Sequence, residues 1–130
     1  MPDVEPVVAR ETIAESIQVG NPASLGWRAL AALRESRGTA IAVSDADILE
    51  AQALTGSLSG VFAEPAAATS VAAAKKLRGA GVIGQDEIVM CNLTGQGLKQ
   101  PEAIQFSEKE FTAIAPTLDA LREQIKRAME

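Results

Sequence analysis

Glu87-Ile88-Val89-Met90-Cys91-Asn92-Leu93 runs directly into Thr94-Gly95-Gln96-Gly97-Leu98-Lys99, and this stretch sets the expectation for the fold. Ile88, Val89, Met90, Cys91 and Leu93 form a nearly continuous apolar run of strand length. Such a run is the pattern of a strand covered on both faces, as in a parallel sheet. It predicts a central strand over 87–93, with the Thr94–Gly97 loop leaving its C-terminal edge. In open α/β sheets that edge is where ligands bind.

The segments upstream alternate in the same sense. The Ala-rich stretch Ala66 to Leu77 predicts a helix, with Pro65 in the first turn, where a missing amide costs nothing. Lys75, Lys76 and Arg78 close it before Gly79. Val61-Phe62-Ala63 is a short apolar run ahead of Glu64-Pro65. Ser44 is placed to cap another helix, and Asp45 and Asp47 suit its positive end. Ile48, Leu49 and Leu54 are its expected buried stripe, and Gly56 and Gly60 bracket the exit. Ala40 to Val43 is again of strand length. From Ala23 to Ser36, Leu25, Ala29, Leu30 and Leu33 recur at helical spacing, with Gly38 as the stop. Ser16-Ile17-Gln18-Val19 is β-compatible and ends at the turn Gly20-Asn21-Pro22, after an extended lead-in from Met1 to Thr12. Downstream, Thr117 to Met129 predicts a helix with Leu118, Leu121, Ile125 and Met129 on one side. The expectation is one domain over 1–130: an α/β fold, mostly parallel sheet with flanking helices, and a C-terminal helical tail over 103–130.

Composition narrows the chemistry. A chain of 130 residues can build a single modest core. With aromatics at 3%, that core must come from Ala, Val, Ile and Leu. The net charge of −5 and the lack of a basic stripe argue against nucleic-acid binding. One cysteine, Cys91, excludes an internal disulfide, and the absence of histidine removes histidine catalysis and the commonest zinc ligand. No apolar run approaches membrane-spanning length and no signal peptide opens the chain, so a cytoplasmic location is expected.

The residues best placed for chemistry are in Thr94-Gly95-Gln96-Gly97-Leu98-Lys99. Glycines let a backbone come close to a ligand, and Thr94 offers a hydroxyl. Alone, this is also what a glycine turn at a strand end looks like. Glu64 before Pro65 suits a helix N-terminus, Asn21 suits a turn, and Trp27 suits helix packing.

Four segments in order change the weight of that loop. Ile17-Gln18-Val19-Gly20-Asn21-Pro22 with Trp27, Val43-Ser44-Asp45-Ala46-Asp47-Ile48, Gly60-Val61-Phe62-Ala63-Glu64-Pro65-Ala66 and the TGQGLK stretch with Pro101 resemble the C-terminal half of the threonine synthases. The resemblance covers roughly Glu11 to Glu102. These enzymes share the pyridoxal-phosphate fold of the tryptophan synthase β-subunit (fold type II) and of threonine deaminase. The resemblance implies that the Thr94 hydroxyl bonds the pyridine nitrogen of pyridoxal 5'-phosphate, a neutral partner that moderates the ring as an electron sink. Gly95 and Gly97 would then be backbone-shape residues, and Glu64 would lie at the edge of the cofactor pocket. No catalytic residue and no metal ligand is assigned. The sequence departs from the family pattern at Gln96, where histidine is common, at Gln18, where arginine is common, and at Ser16, where alanine is common.

The family's Schiff-base lysine lies in a Phe-Lys-Asp-Arg-like motif, and no lysine here has that context. Lys75, Lys76, Lys109 and Lys126 fall on expected helices, and Lys99 follows the loop. The Gly-rich phosphate cradle and the Ser-x-Gly-Asn substrate segment are also missing. The resemblance therefore implies a fragment or half of a threonine synthase, a lyase converting O-phospho-L-homoserine and water to L-threonine and phosphate, and inactive by itself. Self-association or an N-terminal partner chain is the expected partner, with a small-molecule substrate in the complete enzyme. Two alternatives stay open: a free-standing, non-catalytic binding module of the same fold, or part of a serine/threonine dehydratase.

Overall fold

A computed structural model describes residues 4–104 and 113–129. Within them run helices α1 (Ala23–Glu35), α2 (Asp45–Ser59), α3 (Pro65–Gly79) and α4 (Leu118–Met129), with short 3-10 turns at Glu15–Ile17, Gly97–Lys99 and Pro101–Ala103. The core lies where α2 packs on α3. Ile48 and Ala51 from α2 meet Ala66, Ala68 and Ala72 from α3, and Ala14 joins them from the segment before α1. Ile13, Val43 and Val71 pack around this cluster. Because most of these side chains are methyl groups, the two helix backbones can approach closely.

Local chemistry explains the ends of both helices. The Ser44 hydroxyl accepts the Asp47 amide at 3.2 Å, and the Asp47 carboxylate accepts the Ser44 amide at 2.9 Å. This reciprocal pair satisfies two amides that the first turn would otherwise leave open. The helix ends at Gly60 in the left-handed conformation, φ 71°. Pro65 occupies the first turn of α3, as its missing amide favours.

The capping pair has a pH signature. The Ser44 backbone amide and then its hydroxyl hold the Asp47 carboxyl below its ordinary value of 3.8, with weaker help from Lys76 and Lys75 against some desolvation. A depressed folded-state value means that this stabilisation is present above the unfolded value and is lost as pH falls through the folded one. Asp47→Asn should therefore lower the urea midpoint at neutral pH, and the gap from the parent should close below about pH 4. A gap that stays constant down to pH 2 would show that the carboxylate charge is not what matters.

The expected parallel sheet is not there. Among the described residues no strand forms, and the only ladder element is an isolated antiparallel bridge between Ala63 and Gln96. The 87–93 run lies in irregular backbone rather than a central strand, so the loop after it leaves no strand edge. Ile88 and Met90 are essentially fully exposed, whereas Cys91 and Leu93 are half-buried. Cys91 and Asn92 lie along α3, where the Cys91 thiol donates to the Ser70 carbonyl (3.7 Å) and the Ser70 hydroxyl reaches the Asn92 carbonyl (3.4 Å). The segment has the side chains of a buried strand but a cover on one side only. A strand exists through its neighbours' hydrogen bonds, which an apolar run cannot supply for itself.

Smaller expectations shift for similar reasons. Ser16-Ile17 belongs to the 3-10 turn rather than to a β-compatible stretch, and Ala40–Val43 finds no ladder partner, its Ala42 carbonyl accepting from Lys76 at 2.9 Å. On α2 the buried face is Ile48, Ala51 and Gln52, with Leu54 exposed. Leu25 on α1 and Leu118, Leu121, Ile125 and Met129 on α4 are exposed as well. Lys109 lies outside the described residues, as does much of the link between Ala103 and α4. The chain exposes 10251 Å². A compact monomer of 13.5 kDa exposes about 6,500 Å². Apolar side chains such as Ile88, Met90 and those of α4 form part of this exposed surface.

Candidate functional site

The link between α2 and α3 and the loop 94–97 form one structure. Gln52 of α2 is buried and donates from its side-chain amide to the Ala63 carbonyl at 2.7 Å. That bond fixes the link from beneath. From the other side the Glu64 amide donates to the Gly95 carbonyl (3.0 Å) and the Gly97 amide to the Phe62 carbonyl (2.9 Å). The loop thus lies antiparallel on residues 62–64.

Only glycine permits so close an approach. A Cβ on Gly95 would sit 2.2 Å from Glu64 Oε1, and one on Gly97 would sit 2.2 Å from the Phe62 ring. The glycine spacing seen in the sequence therefore has a steric cause: both residues lie flat on the link. Beyond them the chain turns through Gly97–Lys99 and brings the Lys99 ammonium 2.8 Å from Glu64 Oε2.

Thr94, the residue assigned to the cofactor, stands exposed just before the bridged pair. Glu64 is buried at the start of α3, but its side chain makes no capping bond there. Its carboxylate goes to Lys99 instead of to the helix amides. Asn21 is exposed, and its carboxamide oxygen accepts the Ala23 amide at 3.2 Å, the turn role. Trp27 is half-buried on α1, and the Gln18 side chain donates to the Arg10 carbonyl at 2.8 Å.

Two residues of this site were not singled out from sequence. Gln52 fell on the expected buried face of α2 without an apolar side chain, and a buried amide needs a backbone partner. Lys99 reads in the sequence only as a residue following a loop, although a buried carboxylate beside Pro65 has need of a cation.

Thr94 carries an exposed hydroxyl at the head of the loop, while the missing side chains of Gly95 and Gly97 make room for the Glu64 carboxylate and the Phe62 ring. The described lysines near the core are engaged elsewhere: Lys75 with Glu50, Lys76 with the Ala42 carbonyl and Lys99 with Glu64. No group of metal-binding side chains occurs among the described residues, and none of their helices is long and apolar enough to cross a membrane.

Comparison with known proteins defines the class. Residues 2–95 match the family model described as pyridoxal-phosphate dependent enzyme, and the chain belongs to that family. Within it, the chain is similar to threonine synthases. That of Methanosarcina acetivorans is 44% identical over 124 residues, which cover 95% of this chain and 30% of that protein. The threonine synthase of Methanocaldococcus jannaschii is 41% identical with the same coverage, and that of Mycobacterium tuberculosis (strain H37Rv) is 40% identical over 86% of this chain and 30% of that protein. The chain spans about 30% of the length of the curated relatives it matches. The family agrees with the motif order read from the sequence.

Proposed function

We propose that this chain supplies the ring-nitrogen side of the cofactor site in a cytoplasmic threonine synthase, which converts O-phospho-L-homoserine and water to L-threonine and phosphate. The observation that carries this reading is the match to threonine synthases along nearly the whole chain, TGQG loop included. When bound, pyridoxal phosphate provides the electron sink for carbanion chemistry on the substrate. The part of this chain is narrower. Thr94 donates a hydrogen bond to the ring nitrogen without giving it a full proton, and so sets how strongly the ring withdraws electrons. Gly95 and Gly97 keep the backbone flat beside the ring.

The lysine that anchors the cofactor, the cradle for its phosphate and the substrate-carboxylate site come from polypeptide other than these residues. That polypeptide also covers exposed apolar groups such as Ile88 and Met90, since apolar faces of this kind favour association. The chain by itself turns over no phosphohomoserine.

The test assembles this chain with a polypeptide carrying the lysine-bearing part of a threonine synthase. Sedimentation should show a complex, and phosphate release should appear only in the mixture. Thr94→Val in that mixture should lower turnover about tenfold to a hundredfold, the worth of one lost hydrogen bond. Phosphate release by the chain alone would overturn the proposal. So would a mixture that deaminates serine or threonine and leaves phosphohomoserine untouched.

A further inference from the structure

We propose that Lys99 and Glu64 form a latch that holds the 94–97 loop on the link between α2 and α3, and that both are positioning residues for Thr94. The latch stands on geometry alone; its consequence for the cofactor rests on the reading of Thr94 given above.

The bridge is short for what it must hold. Two backbone hydrogen bonds join the loop to the link, with no ladder continuing on either side. An isolated pairing of this size is weak in water. Glu64 adds a second attachment: its amide holds Gly95, while its carboxylate holds Lys99, four residues further on. The 3-10 turn between them is closed by Lys99 donating to the Gln96 carbonyl and Gln100 donating to the Gly97 carbonyl. One residue thus grips the loop at both ends.

Burial makes this grip selective. The Glu64 side chain is 5% exposed, and a carboxylate so placed requires a partner. The Lys99 side chain is 57% exposed and reaches inward from solvent, so its own desolvation is slight. Removing Lys99 leaves a buried charge facing the Gly95 backbone. The carboxylate must then move toward water, and the loop it carries moves with it.

Amide hydrogen exchange on this chain tests the latch without any cofactor. In Lys99→Met the Glu64 and Gly97 amides should exchange about tenfold faster, while Ala68 and Ala72 in the α3 core stay within about twofold of the parent. Lys99→Arg should restore the parent rates. Should Lys99→Met fail to fold, the double variant Glu64→Gln, Lys99→Met removes the buried charge as well and carries the same comparison. Bridge amides that ignore the loss of Lys99, or that speed up only in step with the core, would overturn the proposal. In the assembled enzyme, Thr94→Val tests the cofactor reading separately, through the absorbance of bound pyridoxal phosphate. Fast bridge exchange in Lys99→Met with an absorbance blind to Thr94→Val supports the latch and removes the cofactor role.

Discussion

Ile48→Ala should cost about 2–5 kcal/mol, a large part of the stability of any small domain. Among the described residues the buried hydrophobic side chains are Ala14, Ile48, Ala51, Ala63, Ala66, Ala67, Ala68 and Ala72, with Pro65 beside them. Ile48 is thus the one long aliphatic chain in a core made of methyl groups. Truncating it removes three carbons from a site walled by alanines, with Ile13, Val43 and Val71 packed around it. Those β-branched side chains are stiff at χ1 and refill the space only in part, so a cavity remains and its cost adds to the lost transfer energy. Leu58 lies on the same helix but is 80% exposed, and Leu58→Ala should stay within about 0.5 kcal/mol of the parent. Urea unfolding followed by helical circular dichroism reads both. Equal losses at the two positions would mean that α2 does not pack on α3 as described.

The helices were legible because their signals are local. Ser44 with Asp47, Pro65 at its first-turn position and Gly60 at an exit each act within a turn of the residue concerned, whatever surrounds them. The expected parallel sheet failed for the opposite reason. Ile88 to Leu93 has the composition of a buried strand, but composition records a preference, and burial needs neighbours that come from elsewhere. The stripe on α2 failed in a milder way: Leu54 has the right spacing, yet Gln52 takes the buried place because the Ala63 carbonyl needs a donor. At the site, motif order led to the family and drew attention to Thr94 and the two glycines. The Lys99–Glu64 pair was hidden, since 35 positions separate its members and only the bridge between 62–64 and 95–97 brings them together.

Gly95→Ala and Gly56→Ala add the same methyl group and should act in opposite directions. Gly56 lies inside α2, and a Cβ there would meet nothing within 4 Å. Alanine at that position should stabilise by up to about 1 kcal/mol through helix propensity alone. At Gly95 the same methyl would lie 2.2 Å from Glu64 Oε1 and 2.3 Å from its carboxyl carbon, closer than real contacts allow. Either the loop lifts off the link, breaking the bond from the Glu64 amide, or the carboxylate swings away and loses Lys99. Both routes damage the same small structure, and overpacking of this kind costs about 1–3 kcal/mol. The second route is open because a glutamate side chain can rotate. Gly95→Ala should therefore reproduce the exchange pattern of Lys99→Met, with fast Glu64 and Gly97 amides over a quiet α3 core. A Gly95→Ala chain as stable as the parent, with those amides still slow, would mean that the loop does not lie on the link and that Thr94 is positioned by something else.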